Sequence, residues 1–189
     1  MDARDMVTFD RVSEPTLSPD GKTVVYGLRK VDYAANKSST GFWKQSLNSK
    51  QPAVRVTSPD LNVNSPTFSN DGQTLYFLSS KSGSMQLWKQ SLAGGDAIRI
   101  SDYPLDIGSY KISPDGKAVV LSLEVFNDCA DLACTKKRLD AEDASKATGS
   151  LYDKLLIRHW DTWADGRRNQ LFNAGFSADG KLVGEPKKI

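Results

Sequence analysis

The sequence predicts an all-β protein: a partial β-propeller of about three four-stranded antiparallel blades, with a short helical insertion in the third. Three observations carry this. Ser-x-Asp-Gly recurs before an apolar run, as Ser18-Pro19-Asp20-Gly21 before Thr23-Val24-Val25-Tyr26, Ser69-Asn70-Asp71-Gly72 before Thr74-Leu75-Tyr76-Phe77, and Ser113-Pro114-Asp115-Gly116 before Ala118-Val119-Val120-Leu121. Trp43-Lys44-Gln45-Ser46-Leu47 is repeated as Trp88-Lys89-Gln90-Ser91-Leu92. Ala53-Val54-Arg55-Val56-Thr57 is echoed by Ala97-Ile98-Arg99-Ile100-Ser101. Copies spaced roughly 40 to 50 residues apart mean one supersecondary unit stacked several times. A β-sandwich also has many short strands, but it gives no reason for one strand to carry the same five residues twice.

Each element follows in order. Pro or Asn, then Asp, then Gly is turn chemistry, because proline presets φ and glycine accepts positive φ. The flanks are β-rich, so each copy reads as a hairpin, with Pro15–Ser18, Pro66–Ser69 and Tyr110–Ser113 entering and Thr23–Leu28, Thr74–Ser79 and Ala118–Leu123 leaving. The outgoing runs are nearly continuous in apolar residues, which predicts burial on both faces. The Trp-Lys-Gln-Ser-Leu segment is the third strand, with its tryptophan in the core, and the Val/Ile-Arg segment is the fourth. The blades are expected at residues 10–58, 59–102 and 103–189 of a segment spanning 1–189, with an insertion at 124–163. Ser177-Ala178-Asp179-Gly180 falls where Ala93-Gly94-Gly95 falls in the second unit, so it reads as a turn between third and fourth strands, with Lys181–Ile189 the last strand.

The insertion has two parts. Cys129–Ser150 is rich in Ala, Lys, Asp and Glu, with Leu132 and Leu139 on one face of an expected helix lying over the blade. Tyr152–Trp163 reads as an extended strand, turned back at Ala164-Asp165-Gly166. On that strand His159, Asp161 and Trp163 would share one face and Arg158, Trp160 and Thr162 the other.

Composition excludes several function classes. With 39% hydrophobic and 25% charged residues and a formal net charge of +2, nothing points to nucleic acid or an anionic membrane. No apolar run is long enough to span a bilayer, and the first residues lack the apolar core of a signal peptide. Two cysteines and one histidine do not make a zinc site, and no metal or cofactor is expected. Cys129 and Cys134 read as a local disulfide or as two buried thiols; a disulfide would imply an oxidising compartment. The repeated Asp20, Asp71 and Asp115 are explained by their turns rather than by metal binding.

No catalytic residue is assigned. The Gly-x-Ser-x-Gly elbow, His-Glu-x-x-His and glycine-rich phosphate loops are absent from the sequence. The densest functional-looking stretch is Arg158, His159, Trp160, Asp161 and Trp163, the candidate substrate contacts: aromatics supply area, and Arg or Asp grip charged peptide ends. The competing reading is a blade hairpin with packed tryptophans and a satisfied His–Asp pair. Three blades fall short of the roughly 4 to 8 that close a ring. The chain is therefore expected to be a segment of something longer, or to self-associate through its open blade edges.

Several stretches resemble the propeller of prolyl oligopeptidase family serine peptidases, on the dipeptidyl-peptidase V-like and acylaminoacyl-peptidase-like side. They are Ala3-Arg4-Asp5-Met6-Val7 through Asp10-Arg11-Val12-Ser13, Asp32–Lys37, Cys129–Leu139, and Tyr152-Asp153-Lys154 with Arg158–Trp163. The resemblance implies a seven- or eight-bladed N-terminal propeller followed by a C-terminal α/β-hydrolase domain with the Ser-Asp-His triad; no triad position is matched in this sequence. It implies that the propeller gates access and helps hold the N-terminus of a peptide substrate. It also implies a periplasmic or secreted location. The alternative is a non-catalytic TolB-like propeller that binds protein partners.

Overall fold

The computed structural model describes residues 2–149, 151–152, 155 and 157–189. A short helix, α1 (Ala3–Thr8), opens the chain, capped reciprocally by Asp2 and Asp5: the Asp5 amide donates to Asp2 Oδ1 at 2.9 Å and the Asp2 amide to Asp5 Oδ2 at 2.8 Å. This helix lies outside the repeat and has no signal in it.

The first sheet is a meander of β1 (Arg11–Leu17), β2 (Thr23–Asp32), β3 (Lys37–Ser46) and β4 (Val54–Arg55). The second repeats it with β5 (Val63–Phe68), β6 (Thr74–Ser79), β7 (Gln86–Ser91) and β8 (Ile98–Arg99). The third begins with β9 (Ile107–Ile112) and β10 (Ala118–Val125) and then departs through α2 (Leu132–Asp143). A separate two-stranded hairpin follows, β11 (Arg158–His159) with β12 (Thr162–Trp163). β13 (Arg168–Phe176) and β14 (Leu182–Lys188) then complete the third sheet in the order β14-β13-β10-β9. Three four-stranded antiparallel blades, the third interrupted by a helix, are thus the architecture.

The turns explain why these residues fold this way. In the first, Ser18 Oγ donates to Asp20 Oδ1 at 2.6 Å, the Lys22 amide donates to the same oxygen at 3.1 Å, and the Thr23 amide donates to Ser18 Oγ at 2.9 Å. The glycine at the fourth position takes φ of 68°, 69° and 71° in the three copies, a region that a side chain disfavours. The same bond pattern recurs around Asp71 and Asp115. The turn that joins β13 to β14 keeps only part of it: Ser177 Oγ donates to Asp179, but the Lys181 amide donates to Ser177 Oγ, at 3.1 Å, instead of to the carboxylate.

Two apolar seams hold the blades together. Val25 and Phe42 of the first blade meet Val63, Phe68, Leu75, Phe77 and Trp88 of the second. Leu78 and Leu87 of the second meet Ile107, Val119, Leu121, Leu123 and Phe172 of the third, with Leu132 of α2 joining them. Burial on both faces, expected for all three outgoing strands, is approached only in β6, where Leu75, Phe77 and Leu78 are buried and Thr74 and Tyr76 partly so; β2 and β10 alternate. The middle blade is flanked on both sides, whereas each outer blade has one neighbour. For the same reason Trp88 is 9% exposed while Trp43, expected in the core, is only half-buried.

Candidate functional site

The site is the insertion of the third blade and the groove beneath it. β10 ends at Val125, and Phe126 is still buried. Asp131 then caps α2, accepting the Cys134 amide at 2.7 Å. Cys129 and Cys134 are joined by a disulfide with an S–S distance of 2.06 Å. Arg138 donates to both carboxylate oxygens of Asp128, at 3.1 and 2.8 Å, and lies 4.2 Å from the Phe126 ring centre. That guanidinium bond holds the Asp128 carboxyl below its ordinary range. Only Leu132 and Thr135 of α2 are buried; Leu139 packs partly against the core.

Between α2 and the segment that leads into β9 lies a groove of about 680 Å³. Its acids are Asp106, Glu124, Asp140 and Asp143, against the cations Lys136 and Arg167. Both cations are engaged: Lys136 pairs with Asp140, and Arg167 reaches Glu124 at 3.3 Å and Asp165 at 2.6 Å. The groove is therefore acidic in balance and suited to a cationic group.

The structure separates the sequence-derived candidates from that groove lining. Asp153, Lys154 and Leu156 lie outside the described residues, as does Ser150. The end of the expected continuous strand Tyr152–Trp163 is not extended: Arg158–Trp163 is a tight hairpin. Arg158 faces Trp163 and His159 faces Thr162, with Trp160 and Asp161 forming the turn. Trp160 takes a left-handed φ of 53°, and the chain reverses at Trp160-Asp161, four residues before Ala164-Asp165-Gly166. The predicted grouping of His159, Asp161 and Trp163 on one face is thereby overturned. Residues directly opposite in an antiparallel pair share a face, so Arg158 and Trp163 lie together, the guanidinium 5.3 Å from the indole centre. Trp163 stacks on Tyr152 at 6.2 Å, and His159 sets its ring edge-on to Trp160 at 6.4 Å.

The expectation of packed tryptophans also fails here. Trp160 is 84% and Trp163 54% exposed, because this hairpin lies outside the repeat sheets and no blade covers it. Sequence reasoning missed the groove acids. Asp106, Glu124 and Asp143 come from three elements, and nothing in their spacing signals that the fold gathers them. Among the described residues no group of three or more His, Cys, Asp or Glu could hold a metal ion, and no helix is long and apolar enough to cross a membrane.

No family model matches the chain. Dipeptidyl-peptidase 5 of Porphyromonas gingivalis is 32% identical over 160 residues, covering 84% of this chain and 22% of the relative. Among solved structures, the Pyrococcus horikoshii acylaminoacyl peptidase superposes with a TM-score of 0.66 at 14% identity, over 98% of this chain and 26% of that one. The β-propeller domain of the Pyrococcus furiosus Trilobed protease gives 0.53 at 16% identity, over 96% and 43%. TolB from Acinetobacter baumannii gives 0.52 at 16%, over 92% and 31%. The chain thus spans about a fifth of the length of the curated relative it matches. In sequence and in fold it matches an N-terminal propeller segment of the prolyl oligopeptidase family, on its dipeptidyl-peptidase 5 side.

Proposed function

We propose that this chain is the propeller segment of a longer serine dipeptidyl-peptidase, in which it gates access to a C-terminal α/β-hydrolase domain and helps hold the N-terminus of a peptide. The observation that carries this reading is the 32% identity to a dipeptidyl-peptidase 5 across 84% of the chain. The groove under α2 supports it: an acidic hollow of about 680 Å³ has the size and charge for a peptide ammonium. The exposed Arg158–Trp163 hairpin supplies aromatic area close in sequence to that groove's Arg167. Catalysis belongs to residues beyond this chain, so its own contribution is positioning and exclusion. The Cys129–Cys134 disulfide supports an oxidising location, periplasmic or secreted. The TolB-like reading, a propeller that only binds partners, shares the fold at 16% identity, and the 32% identity to a dipeptidyl-peptidase 5 favours the peptidase reading over it.

The test is a pair of assays on chromogenic dipeptidyl substrates. The longer protein that contains this segment releases dipeptides, and the 189-residue chain releases none. Turnover by the chain alone, or an inert longer protein that carries only further blades, overturns the proposal.

A further inference from the structure

We propose that the Cys129–Cys134 disulfide is a redox-operated latch that keeps α2 docked as one wall of the acidic groove. α2 is 12 residues long, near the length below which an isolated helix is marginal in water. Its buried side chains are Leu132 and Thr135, with Leu139 packed partly against the core. Its remaining ties run mainly to one short strip of chain. The Phe126 amide donates to Thr135 Oγ1 at 3.3 Å, Arg138 holds Asp128 and covers Phe126, and the disulfide closes the same strip onto the first turn. A bond to the outer strand runs from the Leu132 amide to Glu185 Oε1, at 3.3 Å. Beyond the C-cap Ala144, residues 145–149 are in neither helix nor strand, so no regular element immediately anchors that end.

The covalent bond is therefore the strongest of few constraints. The Arg138–Asp128 pair is bidentate but exposed, so water and salt weaken it as they do not weaken the covalent bond. Both cysteines are half-buried rather than sealed in the core. A dithiol can attack: its two sulfurs give up two electrons and close as a disulfide, the Cys129–Cys134 bond breaks, and the two protons pass to the cysteine thiolates. Once freed, α2 takes Lys136, Leu139, Asp140 and Asp143 with it, and the groove loses one wall and two of its four acids. An oxidising setting keeps the groove formed; a reducing one opens it.

Hydrogen exchange of the 189-residue chain, followed by mass spectrometry with and without dithiothreitol, tests this. On reduction the α2 amides are expected to exchange about tenfold faster or more, while β6, β7 and β10 keep their protection. The Cys129→Ser/Cys134→Ser variant is expected to show the fast rates without reductant. If that variant does not fold, the reduced wild type decides alone. Unchanged α2 exchange after complete reduction overturns the latch, and so does acceleration that spreads equally to β10 and β13. The readout is exchange rather than turnover, so its failure is distinct from failure of the peptidase reading.

Discussion

Gln86 is the side chain on which the second and third blades are joined, and its sequence position alone gives no hint of it. It is fully buried. Its Nε2 donates to the carbonyls of Tyr103 and Leu105, at 3.0 and 3.2 Å, while Oε1 accepts from Ser101 Oγ at 2.7 Å and the Tyr103 amide at 3.0 Å. One amide thus satisfies the backbone of the connection that carries the chain from blade to blade. Gln170 occupies the matching strand position in the third blade, and its Nε2 donates instead to Asn127 Oδ1, at 3.1 Å. The turn aspartates have a different role at this scale. Asp20, Asp71 and Asp115 are held below their ordinary pKa of 3.8, chiefly by the neighbouring serine hydroxyl and then by a backbone amide. A carboxyl with a lowered folded-state pKa contributes stability above the unfolded value and loses it as pH falls through the folded one. Asp71→Asn should therefore be less stable than the wild type near neutral pH. The gap should close below about pH 3.8. Urea melts at both ends of that range read it out, and a pH-independent gap would contradict it.

At the scale of the element, the repeated third strand is an interlock as well as a core strand. Lys44 on β3 reaches across to the Leu92 carbonyl at 2.6 Å, and Lys89 on β7 reaches the carbonyls of Asp179 and Gly180 at 3.0 and 3.1 Å. The same residue of the repeat grips the next blade twice, which is why Trp-Lys-Gln-Ser-Leu is copied whole. The tryptophan and lysine point to opposite faces, one to the preceding blade and one to the following. Gln90 adds a bond back to the Val56 carbonyl at 2.9 Å. Lys89→Met keeps the packing stem and removes the charged donor, so it should cost about 1 to 3 kcal/mol in a denaturant titration. A loss near zero would mean that water replaces the lysine. The third blade has Asn173 at this position of the repeat, so its outer side lacks the lysine grip.

Across the whole molecule, equivalent positions have unequal burial. Leu87 is fully buried against the third blade, whereas Leu171, its repeat counterpart, is 52% exposed. Val63 and Phe68 sit at 2% and 8%, while Val12 and Leu17, their counterparts on the first blade, sit at 66% and 60%. Blade faces of the same design are covered inside the array and open at its two ends, as expected of an arc cut from a ring. In the dilute 189-residue chain, Leu87→Ala should cost about 2 to 5 kcal/mol and Leu171→Ala less than about 0.5 kcal/mol. In the longer protein, Leu171→Ala should become costly. Equal costs in the isolated chain would show that its outer face is already covered, as self-association would do.

The sequence determined the repeat, the blades, the turns and the family, because each of these is written in local chemistry: glycine where φ must be positive, alternation where a strand has two faces, and a copied strand where one unit is stacked on another. It also marked the insertion and the residues of its hairpin. Tertiary structure alone decided which of two identical tryptophans is buried, where the 158–163 chain reverses, and which acids from distant segments line one groove. Those outcomes depend on which faces find a neighbour, and burial is set by the neighbour as much as by the residue itself.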